Sequence, residues 1–266
     1  MRRRRYLANA KRLVVKVGTS NLTDERSRLD PEKIKKLVDE TMEIRREGRE
    51  TIIITSGAIG AGVGRLNLSE RPSDMPSLQA AAAIGQGILM HAYREYFEKY
   101  DQPVAQILAT REDFTDPVRS KNFRNTVNTL LRWNVIPIVN ENDTVAVEEI
   151  KLGDNDTLAA FVATSLQADL LIMLSDVDGL YTGDPNADEG VELISTVEKI
   201  TPEIEKLAGK ASRGFGGMIT KIQAAKIVSE FGIPMVIVNG GEKNVLKRVL
   251  AGEEIGTMFV PRGFRG

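Results

Sequence analysis

Short apolar runs, rich in β-branched residues, recur along the chain at positions 13–17, 51–55, 104–108, 135–139, 170–174 and 235–238. Each is continuously hydrophobic rather than alternating, which predicts strands covered on both faces. The segments between them carry a helical period. Ile34, Leu37, Val38, Thr41 and Met42 fall on one face of a helix started by Asp30 as cap, with Pro31 in its first turn, and stopped near Gly48. Thr201 and Pro202 open a second helix that Gly209 closes. Met218, Ile222, Ala225 and Val228 stripe a third, which ends at Gly232 ahead of Pro234. Strands alternating with helices define an α/β protein: a three-layer α/β/α sandwich with a mainly parallel central sheet. There is no internal repeat, and the nearest thing to a flexible insertion is "YTGDPNADEG", residues 181–190.

Composition narrows the class. A chain of 266 residues, 42% hydrophobic and 27% charged, suits one large domain or two tightly packed lobes. Net charge is -1, from 36 basic and 37 acidic side chains, so no overall field gathers nucleic acid or anionic membrane. With no cysteine and a single histidine, His91, disulfides and a zinc centre are excluded. His91 shares a helical stretch with Tyr93, Tyr96 and Tyr100, which favours a structural role over a catalytic one. The opening "MRRRR" is followed by no apolar core of a signal sequence, and reads as a solvated or frayed basic end. "LQAAAAIGQGILM" is too short and too rich in Gly, Gln and Ala to span a bilayer, so a soluble, cytoplasmic protein is expected.

In such sheets, ligands bind beyond the carboxyl ends of the strands. There the sequence reads "GTS", "SGAIGAGVG", "NENDTV" and "SDVDGLY" in turn. Anion-binding hydroxyls and N–H groups share one rim with carboxylates, which suits a charged or zwitterionic small substrate beside a phosphate. The dinucleotide fingerprint fails, because the pattern begun at Gly60 has Arg65 where the third glycine belongs, and this disfavours a dehydrogenase. "RGFGGMITK", residues 213–221, is not a P-loop, yet Gly216 and Gly217 leave open N–H groups at a helix start with Lys221 in its early turns. "NEND", Asn140 to Asp143, crowds polar groups at the end of a buried strand, where a turn needs only one. "LGDND" offers Asp154, Asn155 and Asp156 at a helix start, where capping accounts for one of the three. Together they suit an ammonium group, with one carboxylate left to orient lysines.

Lys16 stands alone in the apolar run "LVVKV". A buried ammonium is costly unless an anion meets it, either a protein carboxylate or one from outside. Phosphoryl transfer from ATP spreads negative charge over the moving group, and two lysines from distant segments, Lys16 and Lys221, supply what it needs, with Asp156 to hold both. No general base is evident. An acceptor carboxylate needs none, being ionised at neutral pH with a free pKa near about 4.3. On this reading Lys16 awaits an external anion.

These residues resemble the amino acid kinase family, and within it the branch that phosphorylates the side-chain carboxylate of L-glutamate for proline synthesis. The resemblance runs from "VVKVGTS" through "TSGAIGAG", "NENDTV", "GDNDTLAA", "SDVDGLYTGDP" and "GFGGMITKIQAAK" to "GTMFVP". It implies one kinase domain over residues 1–266, with about 1–168 binding the amino acid and about 169–266 the nucleotide. It implies catalytic Lys16, Lys221 and Asp156. Ser56, Gly57, Asp143 and Asn155 hold glutamate, Asp143 facing its ammonium group. Lys16, Ser175, Asp176 and the loop Phe215, Gly216, Gly217, Met218, Ile219, Thr220 and Lys221 bind ATP. Magnesium rides on ATP with no protein cage. A homo-oligomer, dimer or tetramer, and proline as a feedback inhibitor competing at Asp143 also follow from the likeness.

Two departures stand out. Many members carry a C-terminal PUA domain, whereas this sequence stops at Gly266, so a kinase domain alone is expected. Thr55 stands where serine is frequent. The rival readings are a kinase of the same fold for acetylglutamate, carbamate or a phosphorylated acceptor, and a non-catalytic amino-acid-binding regulatory module. The Ala-rich segment from Leu78 to Met90 fits either a subunit interface or a helix buried within one subunit.

Overall fold

The computed structural model describes residues 2–26, 28–146, 155–185, 190–210 and 217–262. The expected strands form with small extensions: β1 Arg12–Val17, β2 Glu50–Thr55, β3 Val104–Ala109, β4 Ile136–Glu141, β5 Leu170–Ser175 and β7 Met235–Asn239. Two short strands without a sequence signal join them, β6 Thr196–Val197 and β8 Thr257–Phe259. All belong to one eight-stranded sheet in the order β3-β4-β2-β1-β5-β7-β8-β6. Every pairing is parallel except that of β7 with β8. Parallel neighbours need crossover connections, and these are the helices.

The helices are α1 Arg2–Leu7, α2 Pro31–Arg46, α3 Ala58–Arg65, α4 Met75–Glu98, α5 Glu112–Thr115, α6 Pro117–Arg132, α7 Asp156–Ser165, α8 Pro202–Lys210, α9 Gly217–Glu230 and α10 Val245–Leu250. Asp30 caps α2 as expected, accepting from the Glu32 and Lys33 N–H groups. Two buried apolar layers flank the sheet. One joins Leu13, Val15 and Val17 of β1 to α2, α4 and α10. The other joins Val14 to α6, α7 and α9. Because side chains alternate along a strand, Lys16 points with Val14 into the second layer. No helix among the described residues is long and apolar enough to cross a membrane.

Three expectations need correction or refinement. Arg3 is buried: its guanidinium donates to the carbonyls of Glu253, Ile255 and Gly256 at 3.1, 2.6 and 3.0 Å, and also to that of Ser195. It ties α1 to the loop before β8, because carbonyls satisfy all but one of its nitrogens, and is no part of a frayed basic end. The segment 181–190 is closed at its described ends by antiparallel pairing, with Tyr181 bridged to Leu193 and Thr182 N–H donating to Glu192 O at 3.0 Å. The Ala-rich segment lies in α4 and packs within the chain against α3, while Ala80, Ala83, Ile84 and Gly87 face solvent.

Candidate active site

The first cluster lies where β1, α7 and α9 meet. Lys16 Nζ is 2.8 Å from Asp156 Oδ1, with their side chains 1% and 0% exposed. Lys221 Nζ lies 3.1 Å from Asp156 Oδ2 and 3.1 Å from the Gly217 carbonyl at the start of its own helix. Thr220 Oγ1 donates to Asp156 Oδ2 at 2.8 Å. The side chain of Lys16 has Asp156, the carboxylate expected to hold both lysines, as its protein partner, so it does not wait unpaired for an external anion. Two ammonium groups and one carboxylate leave the triad with one net positive charge, so an arriving anion meets attraction without the protein holding two bare cations. Gly18, just after β1, lies at the edge of this cluster. A Cβ there would come within 3.7 Å of Lys16 Nζ.

A second cluster lies at the exits of β2 and β4. Asn155 occupies the cap position of α7, yet its side chain makes no cap bond. Its Nδ2 lies 2.7 Å from Thr55 O, 2.7 Å from Asn140 Oδ1 and 3.2 Å from Ser56 Oγ. Asn140 in turn donates to Gln86 Oε1 at 2.8 Å. Gly57 precedes α3 with φ 98°, a left-handed conformation that glycine adopts without penalty, and no side chain caps that helix. Its first N–H groups are thus open next to buried Ser56. Thr55 points to the opposite face, where its hydroxyl pairs with Tyr93 at 2.9 Å, so the extra methyl relative to serine lies away from the amino-acid groups.

Asp143, past the end of β4, is buried, and burial pushes its carboxyl up to about 6, opposed in part by the charge of Arg71. A buried carboxylate that Arg71 compensates only in part is suited to meet a cation.

At the exit of β5, Ser175 is buried and donates to Asp176 Oδ1 at 3.3 Å, while its carbonyl accepts from Gly240 N–H at 2.8 Å. Asp176 is exposed and lines a cavity of about 420 Å³ beside α2, together with Asn21, Lys36 and Asn239. In the first turn of α9, Met218 packs into the core, whereas Ile219 is partly exposed. Phe215, Gly216 and Asp154 lie outside the described residues. His91 sits on the solvent side of α4, remote in role from either cluster.

The structure thus unites Lys16, Asp156 and Lys221, and separately links Ser56 and Asn155, with Gly57 next in the chain. It adds Gln86, to which the sequence reading gave no role, and it joins Thr220, expected at the nucleotide, and Asn140, expected only as part of the "NEND" cluster, to specific partners. Gln86 is an ordinary helix former in an Ala-rich helix, and only its burial distinguishes it.

The fold matches that of a UMP kinase from Bacillus anthracis, with a TM-score of 0.62 over 96% of this chain and 97% of that one at 15% identity, a likeness of fold alone. The family model described as "Amino acid kinase family" matches residues 11–239. The chain belongs to the amino acid kinase family. It is similar to a glutamate 5-kinase from Caldanaerobacter subterraneus subsp. tengcongensis, 54% identical over 94% of this chain and 68% of that protein. Glutamate 5-kinases from Clostridium tetani, 52% identical with 97% of each chain covered, and Clostridium acetobutylicum, 49% identical with 98% of each covered, resemble it end to end.

Proposed function

We propose that the chain is an ATP-dependent phosphotransferase that phosphorylates the side-chain carboxylate of L-glutamate, giving L-glutamyl 5-phosphate for proline synthesis. The observation that carries this is the buried convergence of Lys16 and Lys221 on Asp156, beside a polar pocket suited to an amino acid. Relatives named glutamate 5-kinase at about half identity support the choice of acceptor.

In this reading an oxygen of the glutamate side-chain carboxylate forms a bond to the γ-phosphorus of ATP as the bond to the β–γ bridging oxygen breaks, and ADP leaves with that electron pair. Lys16 and Lys221 stabilise the charge spread over the transferring group, and Asp156 keeps their ammonium groups in place before substrate arrives. Ser56, Gly57, Asp143 and Asn155 hold glutamate, and Asp143 takes its ammonium group. Ser175, Asp176 and the segment 215–221 contact the nucleotide, whose binding occupies the lobe from about residue 169 to 266. No three metal-ligating side chains cluster among the described residues, so no protein ligand is assigned to magnesium, which supplies charge neutralisation on the nucleotide phosphates. Proline shares the amino acid head group and would compete at Asp143.

A coupled ADP-release assay with glutamate, acetylglutamate and aspartate tests the reading. ADP release dependent on glutamate, and lost in Lys16→Ala, is expected. Acetylglutamate as the preferred acceptor, or release unchanged in Lys16→Ala, would overturn it.

A further inference from the structure

Among the described residues, three buried polar atoms at the amino-acid end of the site lack a hydrogen-bond partner: the acceptors Asp143 Oδ1 and Asn155 Oδ1, and the donor Gln86 Nε2. An unmet buried polar group costs about 1–3 kcal/mol, so two on one amide network, with a third on the carboxylate three residues past Asn140, call for a ligand rather than for packing.

The polarity of each amide is fixed by its neighbours. Asn140 Oδ1 faces two donors, the Glu141 N–H at 2.9 Å and Asn155 Nδ2 at 2.7 Å, so this amide cannot be turned round. Its Nδ2 must therefore donate to Gln86 Oε1, at 2.8 Å, and Gln86 Nε2 is left as the surplus donor. At the other end, Asn155 spends its Nδ2 on Thr55 O and Asn140, which leaves Oδ1 as a surplus acceptor. Gln86 is 9% exposed. The residue before it, Gly85, lies so close to Ala58 in the first turn of α3 that an added Cβ would overlap the Ala58 carbonyl.

Two acceptors and one donor are the hydrogen-bonding complement of an ammonium group and a carboxylate carried on one carbon. We propose that Gln86 is a substrate-binding residue whose Nε2 donates to the α-carboxylate of the amino acid, while Asp143 and Asn155 accept from its α-ammonium group. The inference rests on the reading above that this pocket takes L-glutamate, and it assigns the α-carboxylate a side-chain partner in addition to the open N–H groups at the start of α3.

Two substitutions separate this role from support of Asn140. Gln86→Glu keeps an acceptor for Asn140 Nδ2 but replaces the donor with a negative charge, and Gln86→Met removes both. Calorimetric titration of the full chain with L-glutamate and with its α-amide, L-isoglutamine, reads the contact without requiring turnover. Gln86→Glu is expected to weaken glutamate binding at least tenfold and L-isoglutamine less than threefold, because the α-amide N–H donates to the new carboxylate. ADP affinity stays within twofold. If Gln86→Glu does not fold, Gln86→Met should cost glutamate at least threefold more affinity than L-isoglutamine. Equal losses for the two ligands, or glutamate affinity within threefold of the parent in Gln86→Glu, would overturn the proposal. A clear difference between the ligands in a parent that releases no ADP would uphold the contact and defeat the reaction.

Discussion

Lys16, in the central strand, and Asp156, in the first turn of α7, lie 2.8 Å apart with neither side chain open to solvent. Lys221 uses the other oxygen of the same carboxylate. Removing one lysine leaves Asp156 paired with the other, whereas removing the carboxylate takes the shared partner from both ammonium groups.

Stability and catalysis should therefore respond in opposite order to two substitutions. Lys16→Met is expected to lower kcat by about a thousandfold while changing unfolding free energy by less than about 1.5 kcal/mol. Asp156→Asn should cost about 3–5 kcal/mol of stability. Urea unfolding beside steady-state kinetics checks both, and a Lys16→Met protein less stable than Asp156→Asn would contradict this account of the triad.

The pH dependence of glutamate binding follows from Asp143. Its carboxyl is pushed up to about 6 by burial, and only the ionised form pairs with an ammonium group. The KM for glutamate should stay level above pH 7 and rise toward tenfold for each pH unit below about 6. Between about pH 5.5 and 8 the substrate's own groups do not titrate, its side-chain carboxyl losing its proton near about 4.3. Asp143→Asn should raise the KM and flatten its pH dependence, with the KM for ATP little changed.

The same group should oppose folding. Its folded pKa lies above the ordinary value near 3.8, so the folded state binds the proton more tightly than the unfolded one. The penalty is complete above about pH 6 and fades as pH falls through that value toward 4. Asp143→Asn is expected to be more stable than the parent at pH 8, by about 3 kcal/mol, with the gain shrinking at pH 5. Thermal unfolding at the two pH values reads this, and a gain that grows on acidification would refute it.

The contact between α3 and α4 sets the position of the β2 exit. A Cβ at Gly85 would overlap the Ala58 carbonyl and crowd the Gly62 nitrogen, both of them backbone atoms with little freedom to move. Gly85→Ala should cost about 2–3 kcal/mol and raise the KM for glutamate more than that for ATP, because Ser56 and Gly57 lead directly into α3. Exposed Gly87, two residues on, has open space around it, so Gly87→Ala is the control and should be neutral or slightly stabilising.

Much of this architecture is legible in the chain because parallel strands buried on both faces must be apolar throughout, and residues 13–17 or 170–174 admit no other assignment as strands. β6 and β8 were not legible. With two and three residues they have no pattern of their own and exist through pairing with each other and with β7. In the site, Lys16 stood out as a charge in an apolar run, and Asp156 as one polar residue too many for a cap. Asn140 stood out as part of a polar cluster at a strand end, but Gln86 gave no such signal, since an amide has the same identity in sequence whether it donates, accepts or idles. Arg3 shows the converse: a run of arginines reads as solvated surface, and only the carbonyls gathered by the loop before β8 turn one of them inward.

The ionic triad also orders events during synthesis. A ribosome delivers β1 early, but the carboxylate that neutralises its ammonium group arrives only with α7, and the second lysine only with α9. Until then Lys16 lacks Asp156, so nascent chains shorter than about residue 156 should be looser and more open to proteases than the finished chain. Completion of the reaction centre and closure of the core are one event.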